Sequence, residues 1–330
     1  MFQSALRKNV VAPLARGFST ATNGGKNNTP LIIAGALAVA AGSYFIYNSE
    51  AGVYAESKDE SDAKPRPVAF TKSEFTNLTL SKVETYNHNT NQYTFKFDDP
   101  NAICGGPITH LLMVKATENG LIVDEKGNDV ARPYTPISRP DLAGEVVLLV
   151  KKYDTGKISP HLASLKPGDK AGFKGTFPKF KYVPGALDHG ICVAGGSGIT
   201  PHYQLIDHAL SLKDDKTKWT LFYSNVTEDD ILLRKEWDAL AKAHPDRLKV
   251  VYVLDKPPAG WTGPTGYISQ QLLKDNSPAG SEAGEAVKVF VCGPPGQVAA
   301  IAGPKDGMKQ GPVGGVLKEL GFSEGQVFKF

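Results

Sequence analysis

The stretch GICVAGGSGITPHYQLIDHAL, Gly190–Leu210, decides how this chain is organised. A short apolar run, Ile191–Ala194, leads into three glycines within four positions, Gly195, Gly196 and Gly198. Thr200, Pro201 and a stretch with helical spacing follow. That order reads as strand, glycine loop, helix. Glycines let the backbone turn sharply and come close to a ligand, and the free N–H groups at a helix start favour an anion. Pro201 suits the first helical turn, where its missing N–H costs nothing. The alternative is a tight strand-to-helix turn with no ligand, because the spacing is not the strict GxGxxG of a dinucleotide fold. The rest of the chain has to decide between the two.

Downstream, β-rich apolar runs alternate with helical patterns to the last residue. Strands are predicted at Gly190–Ala194, Lys218–Ser224, Leu248–Leu254, Val287–Cys292 and Gln326–Phe330. Helices are predicted at Thr200–Leu212, Asp230–Ala243, Ile268–Lys274 and Pro312–Leu320. In the second of these helices Leu233, Trp237, Leu240 and Ala241 share a face, and Thr227 with Asp230 has capping-box spacing ahead of it. The alternation predicts an α/β domain over residues 185–330, a mostly parallel sheet with helices on both faces. Ligands in such sheets bind at the C-terminal strand ends. The glycine loop, Ser224–Asp230 and Cys292-Gly293-Pro294-Pro295-Gly296 all fall at such ends. Cys292 reads either as a small buried hydrophobe or as a side chain facing a ligand across an open strand end.

Upstream, residues 69–184 carry short β-rich runs at Phe75–Tyr86, Gln92–Phe97, Ile108–Ala116, Leu121–Asp124, Val130–Tyr134, Glu145–Tyr153 and Lys170–Gly175. Turn signals such as Asp98-Asp99-Pro100 and Lys166-Pro167-Gly168-Asp169 separate them, which predicts an antiparallel barrel or sandwich. One helix is predicted at Ile158–Leu165, with Ser159 as N-cap and Pro160 at its first position. Inside this region lies Arg132-Pro133-Tyr134-Thr135-Pro136-Ile137-Ser138. Such a set suits a planar, phosphate-bearing cofactor: Arg132 for phosphate, Tyr134 for a ring face, Thr135 for a ring edge. The alternative is an edge strand broken by prolines. Gly156-Lys157-Ile158-Ser159 opens the short helix and reads either as a pyrophosphate cradle or as a plain capped helix.

Composition removes several function classes. A net charge of +3 over 330 residues gives no case for nucleic acid. The three cysteines, Cys104, Cys192 and Cys292, are far apart and odd in number, which excludes a disulfide framework. No CxxC, HExxH or CxxCH occurs, so no metal site is expected.

The amino terminus has a different character. Residues 1–49 contain no Asp or Glu, while Arg7, Lys8 and Arg16 lie among apolar residues with Ser4, Ser19 and Thr20 nearby. That is the composition of a mitochondrial targeting segment, assigned to residues 1–30. Residues 31–47, LIIAGALAVAAGSYFIY, carry no charge. As a helix they span roughly 25 Å, near the lower limit for one transmembrane anchor. A flexible linker rich in Ser, Asp, Glu, Lys and Pro is expected over residues 48–68.

Three motifs in this order, Arg-Pro-Tyr-Thr-Pro-Ile-Ser at 132–138, Gly-Gly-Ser-Gly-Ile-Thr-Pro at 195–201 and Cys-Gly-Pro-Pro-Gly at 292–296, resemble those of the ferredoxin reductase-like flavoproteins, and most closely the NADH–cytochrome b5 reductase family. The resemblance covers residues 70–330. It implies an antiparallel FAD-binding β-barrel over 69–184, followed by a Rossmann-like NAD-binding domain over 185–330. It implies that Arg132, with Pro133, contacts the FAD pyrophosphate, that Tyr134 lies against the isoalloxazine and that Thr135 hydrogen-bonds near N5. Lys151 matches a lysine at the end of the next strand, and Gly156, Lys157, Ile158 and Ser159 match the loop that holds the FAD phosphates. Gly195, Gly196, Gly198, Ile199 and Thr200 match the loop where NADH docks, and Cys292, Gly293 and Pro294 match the residues beside the nicotinamide. Asp255 matches an acidic residue tied to the preference for NADH, and Phe330 the family's terminal aromatic. Thr135, Lys151 and Cys292 are thereby given catalytic roles. Asn101–Pro107 departs from the Gly-Gln-His type of sequence common in animal members.

The implied activity is transfer of hydride from NADH to FAD and of single electrons onward to cytochrome b5 or a similar haem protein. Glu228 and Asp229, near the expected adenosine ribose, would repel a 2′-phosphate, and the sequence shows no Arg there to receive one; alternatively they only start the next helix. Lys151, Lys152, Lys157, Lys174, Lys179 and Lys181 either steer an acidic partner or form a solvated face. The presequence and anchor resemble those of the fungal mitochondrial members, implying an outer-membrane-anchored form and a processed intermembrane-space form. A monomer is expected. The rival readings are an NAD(P)H-dependent flavin reductase serving another acceptor, and a cofactor-free anchored scaffold.

Overall fold

A computed structural model describes residues 65–117, 120–278, 280 and 284–330. The expected targeting segment, anchor and most of the linker lie outside the described residues. Among the described residues no helix is long and apolar enough to cross a membrane.

Six strands form the first sheet: β1 (Thr76–Asn87), β2 (Thr90–Lys96), β3 (His110–Ala116), β4 (Ala131–Tyr134), β5 (Glu145–Lys151) and β6 (Lys170–Pro178). Their order is β4-β3-β6-β1-β2-β5, every neighbour antiparallel. The period-2 pattern explains the inner face. In β3 His110, Leu112, Val114 and Ala116 are buried and the residues between them half-buried. Leu78, Leu80, Phe95, Leu148 and Phe173 complete that core. Past β4 the chain turns onto β5, where Ile137 N–H donates to the Val147 carbonyl at 2.9 Å. Val147 N–H in turn donates to Ser138 Oγ at 3.0 Å. Those two bonds join the sheet's edges. Helix α1 (Ile158–Ser164) plugs the core with Ile158 and Leu162.

The second sheet holds β7 (His189–Gly195), β8 (Lys218–Asn225), β9 (Leu248–Leu254), β10 (Val287–Cys292) and β11 (Val327–Lys329). They run parallel in the order β11-β10-β7-β8-β9. Gly190–Gly195 is buried without a break, as a strand covered on both faces must be. Cys192 and Ala194 pack with α2 (Ile199–Ser211) and α3 (Arg234–Ala243) through Leu205, Ile206, Trp237 and Leu240. Ile191 and Val193 pack on the other side with α4 (Gln270–Asn276), α5 (Pro295–Ala302) and α6 (Gly315–Glu319). The α2/α3 layer also receives Tyr86, Leu149, Ile137, Phe180 and Tyr182 from the first sheet and the segment after it. Burying Leu149 there contributes about 1.5–3 kcal/mol and ties the end of β5 to the second sheet.

Several expectations need correction. Ser159 is not an N-cap: α1 starts at Ile158, the cap position is Lys157 with no side-chain bond, and Ser159 Oγ instead accepts from Tyr153 N–H at 3.1 Å. Leu121–Asp124 is not a strand but half of a turn with one isolated bridge, Val123 to Asp129, because Asp124 Oδ1 accepts from the Lys126 and Asn128 amides. The Thr227–Asp230 capping box is present, yet it caps a single 3-10 turn, Glu228–Asp230. Helix α3 starts only at Arg234, after Leu233 at φ 56°. Helix α6 is shorter than expected, and α5 was not expected at all, although Pro295 at its first position is a start signal.

Candidate functional site at the strand ends

The strand order reverses between β7 and β10, and their C-terminal ends lie side by side with Ala194 opposite Cys292. From there β7 runs into the Gly196–Gly198 turn and α2, and β10 into Gly293, Pro294 and α5. Such a switch point opens a crevice. Its two loops touch. A Cβ on Gly198 would stand 2.6 Å from the Cys292 carbonyl carbon and 2.8 Å from Gly293 N. One on Gly195 would stand 2.9 Å from Pro294 Cδ, and one on Gly293 3.2 Å from Gly195 N. These three glycines therefore serve loop-against-loop packing. Gly196, at φ 50°, has open space where a Cβ would stand, and there the close-approach reading of the glycine loop applies. Ile199 is core, and Thr200 Oγ1 donates to the Ser197 carbonyl at 3.4 Å.

The barrel reaches this crevice through β5, which runs up against the Gly196–Gly198 turn. At its last residue Lys151 Nζ donates to Asp230 Oδ1 at 3.2 Å. Two residues on, Tyr153 OH and Ser197 Oγ are 2.8 Å apart, a bond between the two domains. Gly156 closes the next turn with its N–H on the Tyr153 carbonyl at 2.8 Å. A Cβ on Gly156 would meet Ser159 Oγ at 2.8 Å, so this loop is tight for internal reasons. Lys157 Nζ rests on the Val123 carbonyl at 3.4 Å. On β4, Arg132 and Pro133 are exposed, and Arg132 Nη1 donates to the Ala131 carbonyl at 2.9 Å. Tyr134 is half-buried against the barrel core. Burial pushes its phenol well up, with the Arg132 charge pulling the other way. Thr135 is half-buried just past β4.

On the far wall Cys292 is half-buried, and desolvation pushes its thiol up to about 12, although Lys305 and Lys179 pull it down. It is a neutral thiol at physiological pH, suited to contact rather than nucleophilic attack. Iodoacetamide at pH 8 should therefore label Cys292 on the order of a hundredfold slower than an ordinary cysteine; peptide mapping that finds rapid labelling would contradict the burial argument. Phe330 N–H donates to the Val291 carbonyl at 3.0 Å, and Lys305 Nζ to the Phe330 carbonyl at 3.0 Å. The Phe330 ring stands edge-on to the buried His202, centroids 5.5 Å apart. The fully buried Lys329 Nζ donates to the Gly303, Pro304 and Pro312 carbonyls, which anchors the C-terminus against the α5–α6 loop.

The ends of β8 and β9 carry the exposed carboxylates Glu228, Asp229 and Asp255. One expectation fails here, because an arginine is present. Arg234 lies with Nη1 3.5 Å from Glu228 and Nε 2.9 Å from Asp238, its guanidinium 4.1 Å over the Tyr252 ring. It is committed to those partners. Sequence reasoning also missed Asp230 as a partner for Lys151, because charge pairing across 79 positions leaves no local signal.

The arrangement fits a dinucleotide at the crevice. Gly196 leaves room for close backbone approach, and buried Asn225, at the end of β8, has both amide atoms without a hydrogen-bond partner. It also fits a second phosphate-bearing ligand on the barrel, where the exposed Arg132 spends one of its donors on its own strand. Among the described residues no cluster of His, Cys, Asp or Glu could hold a metal ion.

Comparison with known proteins assigns both halves. Residues 77–182 match the oxidoreductase FAD-binding domain family and residues 192–302 the oxidoreductase NAD-binding domain family. NADH-cytochrome b5 reductase 2 of Aspergillus terreus is 42% identical over 96% of this chain and 95% of its own. That of Mycosarcoma maydis is 40% identical over 99% and 96%. The crystal structure of the cytochrome b5 reductase domain of Ulva prolifera nitrate reductase superposes with a TM-score of 0.68 at 27% identity, covering 80% of this chain and 99% of that one. With relatives at 40–42% identity over nearly the whole chain and both domain families matched, the chain belongs to the NADH–cytochrome b5 reductase family of FAD- and NAD-binding oxidoreductases.

Proposed function

We propose that this protein takes reducing equivalents from NADH and passes them to cytochrome b5 or a similar haem protein. The observation that carries this reading is the crevice between β7 and β10, open over Gly196 and faced by the end of β5. FAD, when bound, supplies the chemistry: it accepts hydride from NADH and releases the electrons singly. Arg132 binds its phosphates, Tyr134 and Thr135 orient its ring, and Gly156–Ser159 shape the turn beside them. Gly196, Thr200, Cys292, Gly293 and Pro294 receive the nicotinamide end of NADH, and Lys151 supplies a cation to the nucleotide. Tyr153 and Ser197, bonded across the cleft, tie the end of the barrel to the glycine loop. NADH is preferred because a 2′-phosphate would meet Glu228, Asp229 and Asp255, while Arg234 is held by Glu228 and Asp238.

Phe180 packs edge-on to Phe328 at 5.3 Å; of the two lysines that flank it, Lys179 lies close enough for its charge to act on Cys292, and Lys181 is exposed. They steer an acidic haem protein. Lys179→Glu with Lys181→Glu is expected to slow cytochrome b5 reduction about tenfold at low salt and to leave ferricyanide reduction unchanged. Equal loss with both acceptors would contradict the docking role. Residues 1–30 direct the chain to mitochondria and residues 31–47 anchor it in the outer membrane as a monomer, with a processed form released to the intermembrane space. Fractionation and protease protection of tagged full-length and Δ1–47 chains test this, and an anchored Δ1–47 chain would contradict it.

A further inference from the structure

Where the two domains touch, one carboxylate is held from behind and bonded to a lysine of the other domain. Asp230 Oδ2 accepts from Thr227 N–H at 3.1 Å and Thr227 Oγ1 at 2.8 Å. Its Oδ1 accepts from Lys151 Nζ at 3.2 Å, with side-chain exposures of 9% for Asp230 and 20% for Lys151. His88 Nε2 stands 3.8 Å from the same oxygen. Asn87 Nδ2, at the end of β1, donates to the Asp229 carbonyl at 2.9 Å, so the segment bearing Asp230 is held against the barrel. Burial raises the Asp230 carboxyl, but the bonds from Thr227 and Lys151 outweigh it and leave the group below the usual carboxylate range. It is therefore an ionised, rigid acceptor.

A lysine at the mouth of a cleft loses substantial rotamer freedom when a ligand immobilises it. Here Asp230 has already selected the rotamer. An ammonium has three donors, and the pair spends one. We propose that Asp230 is the positioning residue for Lys151, fixing its ammonium so that the remaining donors meet oxygen acceptors of the bound dinucleotide. Nucleotide affinity then depends on Asp230, and turnover of bound nucleotide does not. This rests on the reading of the crevice as the NADH site.

The test is a double-mutant cycle in the FAD-loaded protein: unaltered, Asp230→Asn, Lys151→Met and both. The readouts are NAD+ affinity by calorimetry, KM and kcat for NADH with ferricyanide, and Tm. Asp230→Asn should raise the NAD+ Kd and the NADH KM about tenfold, with kcat within about twofold. In the Lys151→Met background the same change should add nothing. Asp230→Glu should recover part of the affinity. Thr227→Ala, which loosens the carboxylate without removing charge, should weaken binding two- to threefold through Lys151 alone, and it serves if Asp230→Asn does not fold. Equal shifts in both backgrounds, or a fall in Tm without loss of affinity, would overturn the proposal by reducing Asp230 to a turn cap. No NAD+ binding by the unaltered protein would overturn the nucleotide reading as well; intact binding without coupling overturns this proposal alone.

Discussion

Alanine at Gly198 will cost this protein its crevice while leaving its two sheets in place. The added Cβ would fall 2.6 Å from the Cys292 carbonyl carbon and 2.8 Å from Gly293 N, and neither is the movable end of a side chain. The β7 loop and the β10 loop must separate. Overpacking of this kind costs about 1–3 kcal/mol, which for a domain of this size lowers Tm by about 2–12 °C. The larger effect is catalytic. A displacement near 1 Å of groups that orient a nucleotide can lower the rate on the order of a hundredfold, and kcat/KM for NADH should fall by at least that much. Gly127→Ala, at φ 81° in the turn ahead of β4 and away from the crevice, is the control. It meets no atom, so its cost is only the left-handed backbone, about 1–2 kcal/mol. If both variants lose stability and activity equally, loop-against-loop contact is not what Gly198 provides.

The second large effect is expected at Arg132. Its guanidinium is exposed on the edge strand β4 and takes no part in the barrel core. Removing it should not unfold the domain. Charge-assisted hydrogen bonds to phosphate contribute about 1.5–3 kcal/mol each, and an arginine can place two on one phosphate. Arg132→Ala should therefore weaken FAD binding on the order of a hundred- to a thousandfold. The purified protein would be close to colourless, with an unchanged far-ultraviolet dichroism spectrum, and would regain colour only at high added FAD. A fully yellow Arg132→Ala protein would remove Arg132 from the cofactor site. Lys157→Ala should cost less, since Lys157 Nζ is shared with the Val123 carbonyl.

The strands were legible because their spacing is governed by burial. The period-2 pattern of β3 and the unbroken apolar run of β7 each follow from how many faces the strand hides. Helix starts were less legible, because they depend on tertiary bonds. Ser159 has an N-cap's chemistry, but the amide of Tyr153 claims its hydroxyl. Asp230 has a capping-box position, yet its other oxygen belongs to Lys151 of the barrel, and the helix waits until Arg234. The glycine loop was legible as a loop, but not in how it divides its glycines. Which of them serve packing and which leave room for a ligand depends on Cys292 and Pro294, almost a hundred residues away. Arg234 was overlooked as a neighbour of Glu228 because the intervening turn folds back, bringing i and i+6 together.

If NADH reduces a flavin held by this chain, a visible absorption spectrum will show it. The purified protein is scanned alone, then after anaerobic addition of NADH and, separately, of NADPH. A flavin spectrum that bleaches readily with NADH and poorly with NADPH is the predicted result, given the carboxylates at the ends of β8 and β9. A protein with no flavin spectrum even after addition of FAD, or a flavin that NADH leaves oxidised, would contradict it.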